Sequence, residues 1–310
     1  MKLVTFLTKG KAKVGVVEDN QVIDLHESYK AHLKHKGETR IEEKANAFVP
    51  NNMNELLEGG EESLKLAKEA VFFALEAKDQ AAAQLVYKKA DVKIGAPVPK
   101  PNKIVCVGHN YRDHIKEMGR DLPEVPVLFA KFSNAVIGPE DDIPHPSITE
   151  KLDYEAEFAF VVGKKAKDVS EEEALDYVAG YTIVNDVSAR DLQMRTLQWL
   201  QGKSMDGSAP MGPWLVTKDE IADPDALDIS LKVNGVEKQR SNTEQLVFNV
   251  NRMLSFTSSI MTLEPGDVIL TGTPGGVGVA RDPQEFLKDG DVVTIEVGEV
   301  GVLENTVRKV

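Results

Sequence analysis

Beyond about residue 100 the chain is a succession of short apolar runs separated by glycine-containing turns. Residues 104–107, 127–130, 158–162, 181–184, 215–217, 229–233, 268–270 and 292–297 have the length and the β-branched, aromatic content of strands. Asn234-Gly235, directly after one of these runs, is a hairpin signal. Helical spacing is scarcer there. Ser170 followed by Glu173 reads as a capping box opening a helix to about Ala179, and residues 245–261 offer another helix. The texture before residue 97 is different. Apolar runs at 14–17 and 22–25, split by Glu18-Asp19-Asn20, predict a hairpin. From Glu61 to about Ala90 an Ala-, Lys- and Glu-rich stretch places Leu64, Ala67, Val71 and Leu75 at helical intervals. Pro97, Pro99 and Pro101 then impose an extended connector that no helix can cross. The pattern predicts an α+β chain, with a small α+β unit over residues 1–97 and a larger, mostly β unit over residues 98–310. Strict βαβ alternation is missing, which argues against a doubly wound sheet.

Composition narrows the partners. Fifty acidic residues against 37 basic ones give a net charge of −13. That balance excludes a nucleic-acid protein, which needs a basic face, and disfavours an anionic membrane surface. Every apolar run falls well short of the ~18 residues a bilayer span requires. The N-terminal apolar stretch is too short for a signal-peptide core. A single cysteine, Cys106, can form neither an internal disulfide nor a thiolate zinc site. A cytoplasmic protein is the expectation.

Candidate chemistry concentrates in three places. In the segment 153–163, strand periodicity sets Glu155 and Glu157 on one face and Tyr154, Ala156, Phe158 and Phe160 on the other. The two carboxylates then lie about 6–7 Å apart along the strand. Taken alone, such a pattern reads first as an exposed polar face and only second as a cation site. The continuation, residues 158–162, is apolar on both faces, so a carboxylate pair here needs a compensating cation. A second buried-type run from Gly180 ends in another carboxylate, Asp186. Three carboxylates without cysteine fit a hard cation, Mg²⁺ or Mn²⁺. Arg190 and Lys203 follow as surface charges or as compensating cations. The second place is the stretch 107–119, where His114 and Glu117 are i, i+3 neighbours on a helix. They form either a solvated turn or a dyad in which the carboxylate fixes the tautomer of a basic imidazole. The third is Thr271-Gly272-Thr273-Pro274-Gly275-Gly276-Val277-Gly278, which lacks the lysine of a phosphate loop and fails the dinucleotide pattern. It reads as a plain tight turn, or as a rigid turn offering backbone N–H groups and threonine hydroxyls to a ligand carboxylate.

Taken in order, residues 108–119, 153–163, 180–193, 202–204 and 264–278 resemble the fumarylacetoacetate hydrolase family, most specifically in Asn185-Asp186-Val187-Ser188-Ala189-Arg190-Asp191-Leu192-Gln193 and in Thr271-Gly272-Thr273-Pro274. The resemblance spans residue 103 to the C-terminus. It implies a catalytic unit built as a mixed β-sandwich or β-roll, usually in a homodimer, with Glu155, Glu157 and Asp186 holding Mg²⁺ or Mn²⁺. It further implies His114 and Glu117 as a catalytic dyad on a mobile helix and Lys203 as a catalytic lysine near the metal. Arg190, Gln193 and Thr273 would bind substrate. His109 stands where many members carry Arg, Lys or Leu, and Phe132 stands where proline is common, so the departures bear on substrate identity. The implied reaction is hydrolytic C–C cleavage of an acylpyruvate to pyruvate and a carboxylic acid. The dyad would take a proton from the attacking water, and Lys203 would face the oxyanion. Decarboxylation of oxaloacetate and isomerisation of 2-hydroxydienoates use the same enolate and stand as alternatives, as does a metal-holding binding protein without turnover. In the enzyme readings the partner is a small 2-oxo acid.

Overall fold

Asp24 ends one element and begins the next. Its carboxylate accepts the Glu27 N–H and caps the helix Leu25–His35, so the strand expected over residues 22–25 stops one residue early, as Gln21–Asp24. That strand pairs with Lys11–Glu18 across a two-residue turn, Glu18 facing Gln21, which is the expected hairpin. The computed structural model describes residues 1–76 and 85–310. Within them the helix expected from Glu61 runs Gly60–Glu76; residues 77–84 of the expected span lie outside the described part. Val86–Lys88 is not helical but a strand, drawn into pairing with Gln21–Asp24.

Two sheets organise the molecule. The larger follows the order Val86–Lys88, Gln21–Asp24, Lys11–Glu18, Lys2–Thr8, Ala209–Thr217, Val178–Asn185, Ala156–Val162, Val268–Leu270, Ile104–Gly108, Val127–Lys131. Its pairings along this path are antiparallel except between Val268–Leu270 and Ile104–Gly108. The smaller sheet is Val236–Asn242, Asp228–Val233, Val292–Val297, Gly301–Lys309 and Ile143–His145. The fold is thus α+β and sheet-dominated. Ala156–Val162 is buried on both faces. Phe158, Phe160 and Val162 pack in one core with Ile229, Leu231 and Ile295 of the smaller sheet. Ala159 and Val161 pack in the other core with Leu25, Leu56 and Ala67 from the helical side. This double burial explains why residues 158–162 show no alternation.

The capping-box helix at 170–179 does not form. Ser170 Oγ donates to Glu173 Oε2 at 3.0 Å, but only a 3₁₀ turn, Ala174–Tyr177, follows. Val178 and Ala179 are taken by the strand Val178–Asn185, whose ladder outweighs the local helix signal. The second expected helix is shorter than its pattern, Val250–Ile260, capped by Asn249 Oδ1 accepting the Arg252 N–H. No helix among the described residues is long and apolar enough to cross a membrane.

Gly180 allows the closest approach in the large sheet. A Cβ there would stand 2.1 Å from the carbonyl oxygen of Val216. Gly180→Ala is expected to force the central strands apart at a cost of about 1–3 kcal/mol. A melting midpoint unchanged in calorimetry would contradict it.

Candidate active site

The site begins with an interruption in strand pairing. Leu152–Asp153 pairs with Ser188–Ala189, the ladder breaks at Tyr154-Glu155, and pairing resumes with Ala156–Val162 against Val178–Asn185. At the break, the Glu155 N–H donates to Asn185 Oδ1 (3.1 Å) and the Asp186 N–H donates to the Glu155 carbonyl (2.9 Å). This lacing gathers Glu155, Glu157 and Asp186, which are 5%, 1% and 0% exposed. One oxygen from each lies within 4.8 Å of the others.

Three cations answer these charges. Lys203 Nζ donates to Glu155 Oε2 and Asp186 Oδ2, both at 2.7 Å. Lys131 Nζ donates to Asp186 Oδ1 at 2.7 Å and to the Val187 carbonyl at 3.2 Å. Arg190 Nη1 pairs with Glu155 Oε1 at 2.8 Å while its Nε donates to Asp153 Oδ2 at 2.7 Å. Burial alone would raise the Glu155 carboxyl, but Lys203 and Arg190 outweigh it and hold the group well below the usual carboxylate range. Burial also opposes the charge on Lys203, yet Asp186 and Glu155 keep its ammonium above the ordinary lysine range. Among the described residues Glu157 has only the Gly272 N–H as donor, at 2.7 Å. Burial first, then Asp186 and Glu155, push its carboxyl well above the usual range. One buried carboxylate therefore lacks a counter-charge from the protein. A set of hard oxygens with one uncompensated charge fits Mg²⁺ or Mn²⁺.

His114 stands on the short helix Arg112–Glu117, its Nδ1 3.4 Å from Glu117 Oε2. The helix ends in a Schellman motif: Gly119, at φ +62°, donates to the Lys116 carbonyl, and the Arg120 N–H donates to that of Ile115. Asn110, just ahead of the helix, is fully buried and donates to the carbonyls of Phe248 and Thr271. It ties the dyad segment to the glycine-rich turn.

That turn differs from its sequence reading. Its N–H groups are taken by the protein's own carboxylates: Gly272 serves Glu157, Gly276 serves Glu117, and Gly278 serves Asp153. No backbone N–H of these three remains for a ligand carboxylate; the turn instead orients three acidic side chains. Thr273 Oγ1 accepts from Gln239 Nε2 at 2.8 Å, which leaves the hydroxyl hydrogen available.

A cavity of about 60 Å³ is lined by His114, Glu155, Glu157, Arg190, Gln193, Lys203 and Thr273. Asp186 adjoins it through Glu155, and Glu117 through His114. Arg190 is less free than a substrate ligand would be. Asp153, Glu155 and Gln193 Oε1 occupy it, and only Nη2 is buried without a partner. Gly202 packs against Ala189 and Gln193 so tightly that a Cβ would meet both backbones at 2.5 Å, which holds Lys203 in place.

The sequence reading missed Lys131, Asp153 and Asn110. Lys131 follows the apolar run 127–130 and Asp153 opens the segment 153–163, and neither position carries a local signal of its distant partner. Asp153 in fact accepts from Arg190 Nε, the Gly278 N–H and the Val279 N–H (2.7, 2.8 and 3.0 Å). Asp153→Asn is expected to weaken Mn²⁺ binding by about 10–100-fold, read by calorimetric titration, because it loosens the arginine that aligns Glu155.

The family model described as fumarylacetoacetate (FAA) hydrolase C-terminal matches residues 103–308. The mitochondrial oxaloacetate tautomerase fahd2 of Xenopus laevis is 46% identical over 261 residues, covering 84% of this chain and 79% of that protein. The oxaloacetate tautomerase YisK of Bacillus subtilis (strain 168) is 38% identical over 312 residues, covering 99% and 100%. A solved structure of maleylpyruvate hydrolase from Sphingobium sp. SYK-6, in complex with manganese(II) and pyruvate, superposes with a TM-score of 0.75 at 29% identity, covering 100% and 99%.

Proposed function

The chain belongs to the fumarylacetoacetate hydrolase family, and from that premise we propose that it is a divalent-metal-dependent enzyme interconverting the keto and enol forms of oxaloacetate. The observation that carries the proposal is a buried carboxylate triad, two members of which, Glu155 and Glu157, line the same small cavity as a carboxylate-supported imidazole. Glu155, Glu157 and Asp186 would hold Mg²⁺ or Mn²⁺. When bound, the ion supplies Lewis-acid polarisation of a 2-oxo carbonyl.

The remaining chemistry belongs to the chain. With Nδ1–H donating to Glu117, His114 Nε2 carries the lone pair and takes a proton from C3 of the keto acid. The C3–H electron pair becomes the C2–C3 double bond, and the charge arriving on the C2 oxygen develops near the Lys203 ammonium. His114 gives up to water the proton it took, a proton from water on the C2 oxygen completes the enol, and the reverse sequence restores the ketone. The cavity supports a small substrate. At about 60 Å³ it lies far below the ~300–1,000 Å³ of a drug-sized ligand pocket. The names of the tautomerase relatives point the same way.

Acylpyruvate hydrolysis is a second reading, favoured by the likeness to maleylpyruvate hydrolase. There the same imidazole would take its proton from water. Enol-oxaloacetate and acetylpyruvate, each mixed with Mg²⁺- or Mn²⁺-loaded protein, separate the two. The expected result is accelerated decay of the enol's ultraviolet band without CO₂ release. Cleavage of acetylpyruvate to acetate and pyruvate, with enol decay unaltered, would establish the hydrolase instead, and CO₂ from oxaloacetate the decarboxylase.

A further inference from the structure

One wall of the cavity carries donors that the carboxylate triad does not use. His109, Arg120, Met118 and Trp199 line the cavity together with Glu155, Glu157 and Lys203. His109 adopts a left-handed backbone, φ +52°, that is uncommon for a non-glycine residue. Its ring packs edge-on against Trp199 (5.3 Å) and parallel to His114 (6.2 Å). Both ring nitrogens are buried, and neither has a hydrogen-bond partner. Burial, reinforced by the positive charge of Arg120, holds this imidazole down at about 4, so it is neutral at pH 7 and has one N–H to donate. Arg120 is exposed at the cavity mouth, and its backbone is fixed by the Schellman motif that closes the His114 helix. Its guanidinium has no carboxylate partner among the described residues. A buried donor without a partner is costly, and an arginine fork matches a carboxylate with two parallel hydrogen bonds. Both features are resolved by a bound carboxylate.

We propose that Arg120 and His109 bind the distal carboxylate of a dicarboxylic 2-oxo acid and so select oxaloacetate over acylpyruvates. The assignment rests on the site handling a 2-oxo acid, whose reacting end lies against Lys203 and the triad. Arg120 supplies the charge and the fork, and His109 supplies a single directed N–H. Because Arg120 follows the dyad helix directly, a distal carboxylate held there also pulls His114 towards the C3 carbon.

Oxaloacetate and acetylpyruvate provide the test, since they differ at the far end by a carboxylate oxygen against a methyl group. Arg120→Met and His109→Asn are compared with the parent protein; asparagine tolerates the left-handed backbone but is too short to reach. Dissociation constants are measured by calorimetry with Mn²⁺ present, alongside KM and kcat. Arg120→Met should weaken oxaloacetate by roughly 10–100-fold, mostly in KM, and leave acetylpyruvate unchanged. His109→Asn should act in the same direction and less strongly. Equal weakening of both ligands, or none of either, overturns the assignment. Parent protein that binds oxaloacetate no tighter than acetylpyruvate also overturns it. Parent protein that prefers oxaloacetate in binding but turns over neither compound defeats the proposed reaction and leaves this carboxylate site standing.

Discussion

Glu157→Gln is expected to abolish the metal-dependent reaction, lowering turnover by about 10³-fold, without destabilising the metal-free protein. The loss corresponds to about 4 kcal/mol, within the several kcal/mol a metal contributes to stabilising developing charge. The stability half follows from the position of the group. Its folded-state pKa lies above its unfolded one, so the protonated carboxyl is the form the fold favours. That contribution is present at low pH and is lost as pH rises through the folded value. Glutamine reproduces the neutral form and escapes the loss. In chelator near pH 8 the variant should melt no lower than the parent. Mn²⁺ at 100 times its dissociation constant should stabilise the parent by about 2.7 kcal/mol and the variant not at all. A variant that keeps the Mn²⁺-induced shift would remove Glu157 from the ligand set.

His114→Ala should separate from this in the opposite sense. Turnover is expected to fall by about 10²–10⁴-fold, the range for a lost general base, while Mn²⁺ affinity stays within about twofold. His114 contacts Glu117 and stacks beside His109, and it makes no hydrogen bond to the triad. Metal binding by calorimetry and enol decay by absorbance read the two halves independently. Full activity in the variant would take the dyad out of the mechanism.

What was legible in the sequence was whatever local periodicity controls. Strands appeared as apolar runs because both faces of Ala156–Val162 are buried, and the hairpin at Asn234-Gly235 appeared because its turn chemistry is local. The helix at 170–179 misled because its end is drawn into a strand by distant residues: Val178 pairs with Val162, and Gly180 and Tyr181 just beyond pair with Thr217 and Val216. The triad was visible as three carboxylates at the ends of buried runs. Lys203 and Arg190 were visible as candidate compensating cations, but Lys131, 55 positions from its partner Asp186, and the pairing of Arg190 with Asp153, 37 positions away, were not. The glycine-rich turn was recognised as a donor of N–H groups, but the recipients, Glu157, Glu117 and Asp153, are each more than 100 positions away.

Lys2–Thr8 lies against Ala209–Thr217, with Lys2 opposite Val216 and Leu3 opposite Leu215. None of the cavity-lining side chains comes from the first 97 residues. A chain started at residue 98 would therefore retain every reactive group and yet bare the backbone of Leu215 and Val216, an unguarded template for stacking copy on copy. Removal of residues 1–97 should show first as precipitation, read by light scattering, and only afterwards as lost catalysis.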